Sequence, residues 1–204
     1  SSLLAKLKVD TLIVSAGSGK RIGSDIPKQF IEINGKPILQ HTLERFEACA
    51  EMDDVFVILA ADYADEYQLI IRQHWHITKL VRTIKGGAER HDSVAAGLRA
   101  VDESTNIVLI HDGVRPFVSF RIIHESIDAA NKYGAAVVGL MPKDTVKMVS
   151  DDLVKKTIPR DTVLLVQTPQ TFRRDVILQA TDLAFKNNSF STDDAALVEQ
   201  MGHP

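Results

Sequence analysis

Cysteine occurs once in these 204 residues, at Cys49, so the chain can form neither an internal disulfide nor a cluster of thiolate metal ligands. Cys49 continues the apolar pattern Leu43, Phe46, Cys49 of an expected helix and reads as core. Long apolar runs are missing too. The opening SSLLAKLKVD is interrupted by lysines, and no stretch approaches the roughly 20 apolar residues that span a bilayer. The expectation is a cytoplasmic protein without a membrane partner. Charge of one sign is also lacking: 24 basic and 27 acidic side chains are interspersed, for a net charge of -3. No broad field draws the chain to nucleic acid or anionic lipid, so any anion site has to be local. The seven histidines show no metal-ligand spacing. His74 and His76 stand two apart, His111 falls at a strand end, and none is expected to be catalytic. Repeats, low-complexity tracts and linkers rich in Pro, Gly or Ser are absent, so composition marks no second domain.

What is present is an alternation. Thr11–Val14, Val55–Leu59, Ile107–Ile110 and Ala135–Leu140 are apolar on both faces, as buried parallel strands are. Between them lie stretches of helical period: Ile38–Cys49, Tyr63–Gln73, Ser93–Val101 and Ser119–Lys132, the last opened by Ser119 and closed by Gly134. This predicts right-handed crossovers and an α/β fold: a Rossmann-like, three-layer, mostly parallel sheet covered by helices on both faces. Ligands then gather at the carboxyl ends of the strands. One segment differs, because Thr145–Val149 and Leu153–Ile158 flank Ser150-Asp151-Asp152 with no helix between them. That is a hairpin, and its apolar residues Val146, Met148, Val154 and Ile158 need cover, which a second copy of the chain would supply.

The first strand runs into Ser15-Ala16-Gly17-Ser18-Gly19-Lys20-Arg21-Ile22-Gly23, whose small residues let backbone amides approach phosphate oxygens. It is not a kinase-type P-loop, since Val14 and Arg21 stand where that loop needs a glycine and a hydroxyl. Nor is it the dinucleotide fingerprint, because Ile22 takes the place of the third glycine. Arg21 and then Pro27-Lys28-Gln29-Phe30 follow, with Pro27 expected to keep the segment extended.

Together with Gly86-Gly87, Asp92-Ser93-Val94, His111-Asp112-Gly113-Val114-Arg115-Pro116, Lys143-Asp144-Thr145-Val146-Lys147 and Thr168-Pro169-Gln170, these motifs resemble, in order and over nearly the full length, the 2-C-methyl-D-erythritol 4-phosphate cytidylyltransferase family. The resemblance implies CTP as donor, methylerythritol phosphate as acceptor, diphosphate as leaving group and Mg²⁺ or another divalent cation on the triphosphate. It implies nucleotide binding by Ser15, Ala16, Gly17, Ser18, Gly19, Gly87, Ala88 and Ser93, although family members often carry an acid at position 88. Arg21 and Lys28 resemble the family's transition-state stabilisers. Asp112, Arg115 and Thr168 would hold the acceptor, Asp112 also touching metal or metal-bound water. Thr145, Lys147 and Arg160 would reach the acceptor site of a neighbouring subunit through the arm, residues 144–158, in a homodimer. Residues 1–204, this arm included, would be one nucleotidyltransferase domain. Family members continue beyond the equivalent of Gly202-His203-Pro204 with a strand, a phosphate-binding lysine and a helix that this sequence does not contain. The alternatives are a cytidylyltransferase for another polyol phosphate such as ribitol 5-phosphate, a non-catalytic nucleotide-binding paralogue and a sugar 1-phosphate nucleotidyltransferase.

Overall fold

The computed structural model describes residues 6–17, 25–190 and 193–202. In chain order they form β1 (Val9–Ser15), a 3-10 turn (Lys28–Phe30), β2 (Glu32–Ile33), β3 (Lys36–Pro37), α1 (Ile38–Glu47), β4 (Asp54–Leu59) and α2 (Ala61–Leu69), which runs on as a π turn, Ile70–His74. Then come β5 (Leu80–Lys85), α3 (Arg90–Ala100), β6 (Ile107–Asp112), α4 (Phe120–Tyr133), β7 (Ala135–Leu140), β8 (Val146–Ser150), β9 (Leu153–Ile158), β10 (Leu165–Arg173), α5 (Arg174–Asn187) and α6 (Asp194–Glu199).

Six strands form one sheet in the order β5-β4-β1-β6-β10-β7. β1 pairs parallel with β4 and β6, β4 pairs parallel with β5, and only β10 runs against its neighbours β6 and β7. The sheet is buried on both sides because alternate side chains serve two cores. Val55, Val57, Leu59, Ile107 and Leu109 pack with residues of α1, α2 and α4. Phe56, Ile58, Val108 and Ile110 pack with residues of α3, α5 and α6. This is the expected three-layer arrangement, and Cys49 is buried within it.

α4 begins and ends where its sequence directs. The Ser119 hydroxyl accepts from the Ile122 amide at 3.1 Å, and Gly134 takes φ 96° to close the helix. Elsewhere the expectations need correction. Ala135–Leu140 is not a core strand: β7 is the sheet edge and is half-buried. Pro27 is extended, with φ -55° and ψ 145°, yet the chain turns into the 3-10 turn directly after it. A proline restricts the residue before it, not the residues that follow.

The hairpin β8–β9 forms its own two-stranded sheet, joined by Asp151 and Asp152 with φ 51° and 60°. Positive φ at both positions suits a two-residue turn. Met148, Val149, Leu153 and Val154 are exposed.

At the opposite edge of the sheet from the strands' carboxyl ends, Asp10 is fully buried in β1. Its Oδ2 accepts from the Thr105 hydroxyl at 2.6 Å, while Oδ1 has no partner among the described residues. Burial pushes this carboxyl up to about 6, against the pull of the Thr105 bond and of Lys8. Because the folded value lies above the unfolded one, the native chain holds a proton that the unfolded chain lacks between pH about 4 and about 6. Stability is therefore gained as the pH falls through about 6, and above it the buried carboxylate costs on the order of 2 to 3 kcal/mol. Asp10→Asn keeps an acceptor for Thr105 and is expected to raise the urea midpoint at pH 8. That gain should vanish near pH 4; an equal gain at both pH values would show that ionisation is not its cause.

Candidate active site

β1 ends at Ser15, and the chain leaves the sheet through Ala16 and Gly17. One crossover carries it from β1 to β4 on one side, whereas β6 lies on the other. Between β1 and β6 the strand order reverses, the place where open α/β sheets leave a crevice at their carboxyl edge. A cleft of about 390 Å³ opens there, with Ala16 and Gly17 at its base.

One wall is the turn from β5 into α3. The Gly86 amide donates to Leu59 O at 2.8 Å, and the Gly87 amide donates to the Ser93 hydroxyl at 3.1 Å. Ser93 is not the helix cap. Glu89 holds that position in a capping box, its own amide donating to Asp92 Oδ2 at 3.1 Å. Ser93 is instead buried one turn in, where it clamps the double glycine. The first turn of this helix lines the cleft through Arg90, and a helix N-terminus there favours an anion.

The facing wall comes from the end of β6 and from β10. The Asp112 amide donates to Thr168 Oγ1 at 3.1 Å, fastening the two strands together. Asp112 Oδ1 accepts from the Val114 amide at 3.1 Å, and Arg115 Nε stands 3.8 Å from Oδ2. Both side chains remain about two-fifths exposed, and so are open to a ligand (39% and 43%). Beneath them His111 is fully buried, and its Nε2 donates to Arg115 O at 2.9 Å. A carbonyl partner requires the proton on Nε2, and burial lowers the imidazole to about 4, so the ring is neutral at pH 7. The stability this neutral ring contributes is full above about pH 6.5 and is lost as the pH falls toward 4, opposite in sign to Asp10.

Ala16, Gly17, Gly87, Ala88, Ser93, Asp112, Arg115 and Thr168 thus share one cleft. Ser15 is buried below it, its hydroxyl without a partner among the described residues. Ser18, Gly19 and Arg21 lie outside the described residues. Lys28 is exposed and does not line the cleft. Thr145 and Arg160 border a separate hollow at the base of the hairpin, and Lys147 Nζ donates to Thr157 Oγ1 at 2.7 Å. Within one subunit these three therefore do not join the cleft. Among the described residues no group of three His, Cys, Asp or Glu side chains is placed to hold a metal.

Sequence reasoning missed the roles of Arg90 and Gln170, two lining residues that both hold Asp194. Arg90 Nη1 bonds to Asp194 Oδ1 at 3.0 Å, and Asp194 is buried, which pushes its carboxyl up against the pull of Arg90. Gln170 Oε1 accepts from the amides of Asp194 and Ala195 at 3.0 and 2.9 Å, docking α6 onto the cleft wall. No local signal joins positions 104 apart. Gln170 stood in a quoted motif but had no role.

The family model described as IspD, 2-C-methyl-D-erythritol 4-phosphate cytidylyltransferase, matches residues 9–204. A protein of that description from Clostridioides difficile is 44% identical over 191 residues, 94% of this chain and 80% of the relative. One from Geotalea uraniireducens is 42% identical over 198 residues, 96% of this chain and 85% of the relative. The crystal structure of 4-diphosphocytidyl-2C-methyl-D-erythritol synthase from Anaerococcus prevotii superposes with a TM-score of 0.85 at 31% identity, covering 97% of this chain and 85% of that one. With a family match over almost its whole length and relatives above 40% identity, this chain belongs to the 2-C-methyl-D-erythritol 4-phosphate cytidylyltransferase family of nucleotidyltransferases.

Proposed function

We propose that the chain transfers the cytidylyl group of CTP to 2-C-methyl-D-erythritol 4-phosphate, releasing diphosphate, as a step of non-mevalonate isoprenoid biosynthesis. The observation that carries this reading is the two-walled cleft. Ala16, Gly17, Gly87 and Ser93 offer small, backbone-rich surface for a nucleotide, while Asp112, Arg115 and Thr168 face them with groups suited to a phosphorylated polyol. Ala88 lines the nucleotide wall without an acidic side chain, so it can meet a base edge only through its main chain.

An oxygen of the acceptor phosphate attacks the α-phosphorus of CTP. The bond from that phosphorus to the bridging oxygen breaks, and diphosphate leaves with the electron pair. The acceptor is already anionic, so no protein nucleophile is needed, and catalysis rests on positioning and on neutralising charge. Arg21 and Lys28 are assigned the charge on the transferring group, a bidentate guanidinium and a compact ammonium. Arg115 binds the acceptor phosphate, and Asp112 and Thr168 orient its hydroxyls. Mg²⁺ fits the donor set, because that ion typically takes one or two carboxylates and completes its shell with substrate phosphates and water. Asp112 would be the carboxylate, and the ion would neutralise the triphosphate.

We read the chain as one domain with residues 144–158 as an arm. The exposed apolar surface of Met148, Val149, Leu153 and Val154 supports a homodimer in which that arm covers a second copy, bringing Thr145, Lys147 and Arg160 to the other acceptor site. A cytoplasmic location is our reading from the lack of a long apolar run in the sequence; among the described residues no helix is long and apolar enough to cross a membrane.

Diphosphate release from CTP and Mg²⁺ should be followed with methylerythritol phosphate or ribitol 5-phosphate as acceptor. Turnover with the first alone is expected. A preference for ribitol 5-phosphate would reassign the acceptor, and release with neither would remove the catalytic reading.

A further inference from the structure

We infer that Gln29 is a positioning residue of the donor site: its side-chain amide braces the base of the glycine-rich loop and fixes Lys28 beside it. This rests on the cleft being the CTP site. Gln29 is polar and yet only 4% exposed. Its Nε2 donates to Ser15 O at 2.9 Å and to Gly17 O at 3.2 Å. Both partners are carbonyls, so only the NH₂ end of the amide fits there, and both of its hydrogens are used. Ser15 ends β1 and Gly17 lines the cleft, so one side chain spans the point where the backbone leaves the sheet to form the loop. Carbonyls on either side of the point where the chain leaves the sheet need partners, and a buried amide spanning them holds this stretch in one conformation.

The other side of the same turn is anchored by rings. Phe30 stacks on Tyr67 at 4.5 Å and meets Tyr63 at 5.0 Å, and its amide donates to Pro27 O at 3.0 Å. In the turn Lys28–Phe30, Gln29 therefore faces the loop, Phe30 faces the aromatic cluster, and Lys28 is the exposed member. A lysine ammonium on a flexible stem is a poor fixed charge unless its backbone is held. Gln29 holds it one residue away, and the same side chain fixes Ser15 and Gly17, where the chain enters the glycine-rich segment. The position of the cation and the shape of the anion site are thus coupled through one carboxamide.

The test uses the whole protein with Gln29→Met, which keeps the volume and removes both donors, and Gln29→Glu, which puts a carboxylate against the two carbonyls. CTP binding is read by calorimetry, and turnover is read while CTP and the acceptor are varied in turn. For Gln29→Met the dissociation constant for CTP should rise about 10- to 100-fold, the expectation for two buried carbonyls left unpaired. kcat should fall as well, whereas the acceptor KM should stay within about two-fold of wild type, because Asp112, Arg115 and Thr168 are held by β6, the loop after it and β10. Gln29→Glu should be the worse of the two. If either folded variant binds CTP as the wild type does, or if donor and acceptor constants worsen equally along with the melting temperature, the positioning role is overturned. A wild-type protein that fails to bind CTP would instead overturn the donor-site reading itself.

Discussion

Lys28→Ala is expected to lower kcat by about 100- to 1,000-fold, the usual cost of removing one preorganised charge from a developing anionic transition state. The melting temperature should barely move. Lys28 is exposed and stands on a 3-10 turn anchored through Gln29 and Phe30, neither of which the substitution touches. Exposed substitutions away from such anchors generally stay within about 0.5 kcal/mol. The kinetic pattern matters as much as the size. A charge used mainly in the transition state lowers kcat and kcat/KM together, while one that binds CTP uniformly raises KM alone. Lys28→Arg keeps the charge but replaces a compact ammonium by a planar fork, so only partial activity should return. If diphosphate release by Lys28→Ala stays within about three-fold of wild type, when removal of one such donor costs at least 100-fold, the transition-state charge does not come from this side chain.

How far these residues could be read beforehand depended on whether their neighbours in space were also neighbours in sequence. β1, β4 and β6 are central and parallel, so their apolar runs were visible without any partner. α4 carries its own start and stop signals. β5 gave no such run because Leu80-Val-Arg-Thr-Ile-Lys is an edge strand with much of its length exposed. β10 was hidden more thoroughly. It contains Pro169 and the polar Gln167, Thr168, Gln170 and Thr171, and its register on β7 shifts between Gln167 and Gln170. A proline argues against a central strand unless the ladder is interrupted, as it is here. The same irregularity places Thr168 and Gln170 on the cleft, so the feature that concealed the strand also makes part of the site. Ala135–Leu140 erred the other way: its composition suits a core strand, but its place at the sheet edge leaves it half-buried.

In the site, Gly17, Gly87, Asp112, Arg115 and Thr168 were legible as pieces of motifs, and the fold brings them to one crevice. The Arg90–Asp194 pair and the brace from Gln29 were not, because each joins a side chain to a partner that only the folded chain supplies.

The double glycine supplies the second large effect, because its requirement is steric. A Cβ on Gly86 would lie 2.4 Å from Ala16 Cβ, 2.7 Å from Ser93 Oγ and 3.3 Å from Ile58 Cγ2. A methyl carbon cannot rotate away as a hydroxyl can, so Gly86→Ala must push the end of β1 and the β5–α3 turn apart. Overpacking of this kind costs about 1 to 3 kcal/mol, which in a chain of this size lowers the melting temperature by roughly 3 to 10 °C. The same displacement falls on the two backbone segments proposed above to hold the nucleotide. Ala16 lines the cleft directly, and Ser93 clamps Gly87, which lines it too. A misplacement near 1 Å at such a site can reduce turnover by about 100-fold. Gly17→Ala is the stability control, because among the described residues a Cβ there meets nothing within 4 Å. Its melting temperature should match wild type to within about 2 °C, as expected for a substitution without steric conflict. Melting curves and CTP titrations on both variants separate the cases. A Gly86→Ala protein that melts early and binds CTP weakly shows that the contact between Gly86 and Ala16 sets the width of the nucleotide wall. If it melts early yet binds CTP normally, the wall is shaped elsewhere, and the close approach of β1 to the β5–α3 turn serves only to stabilise the fold.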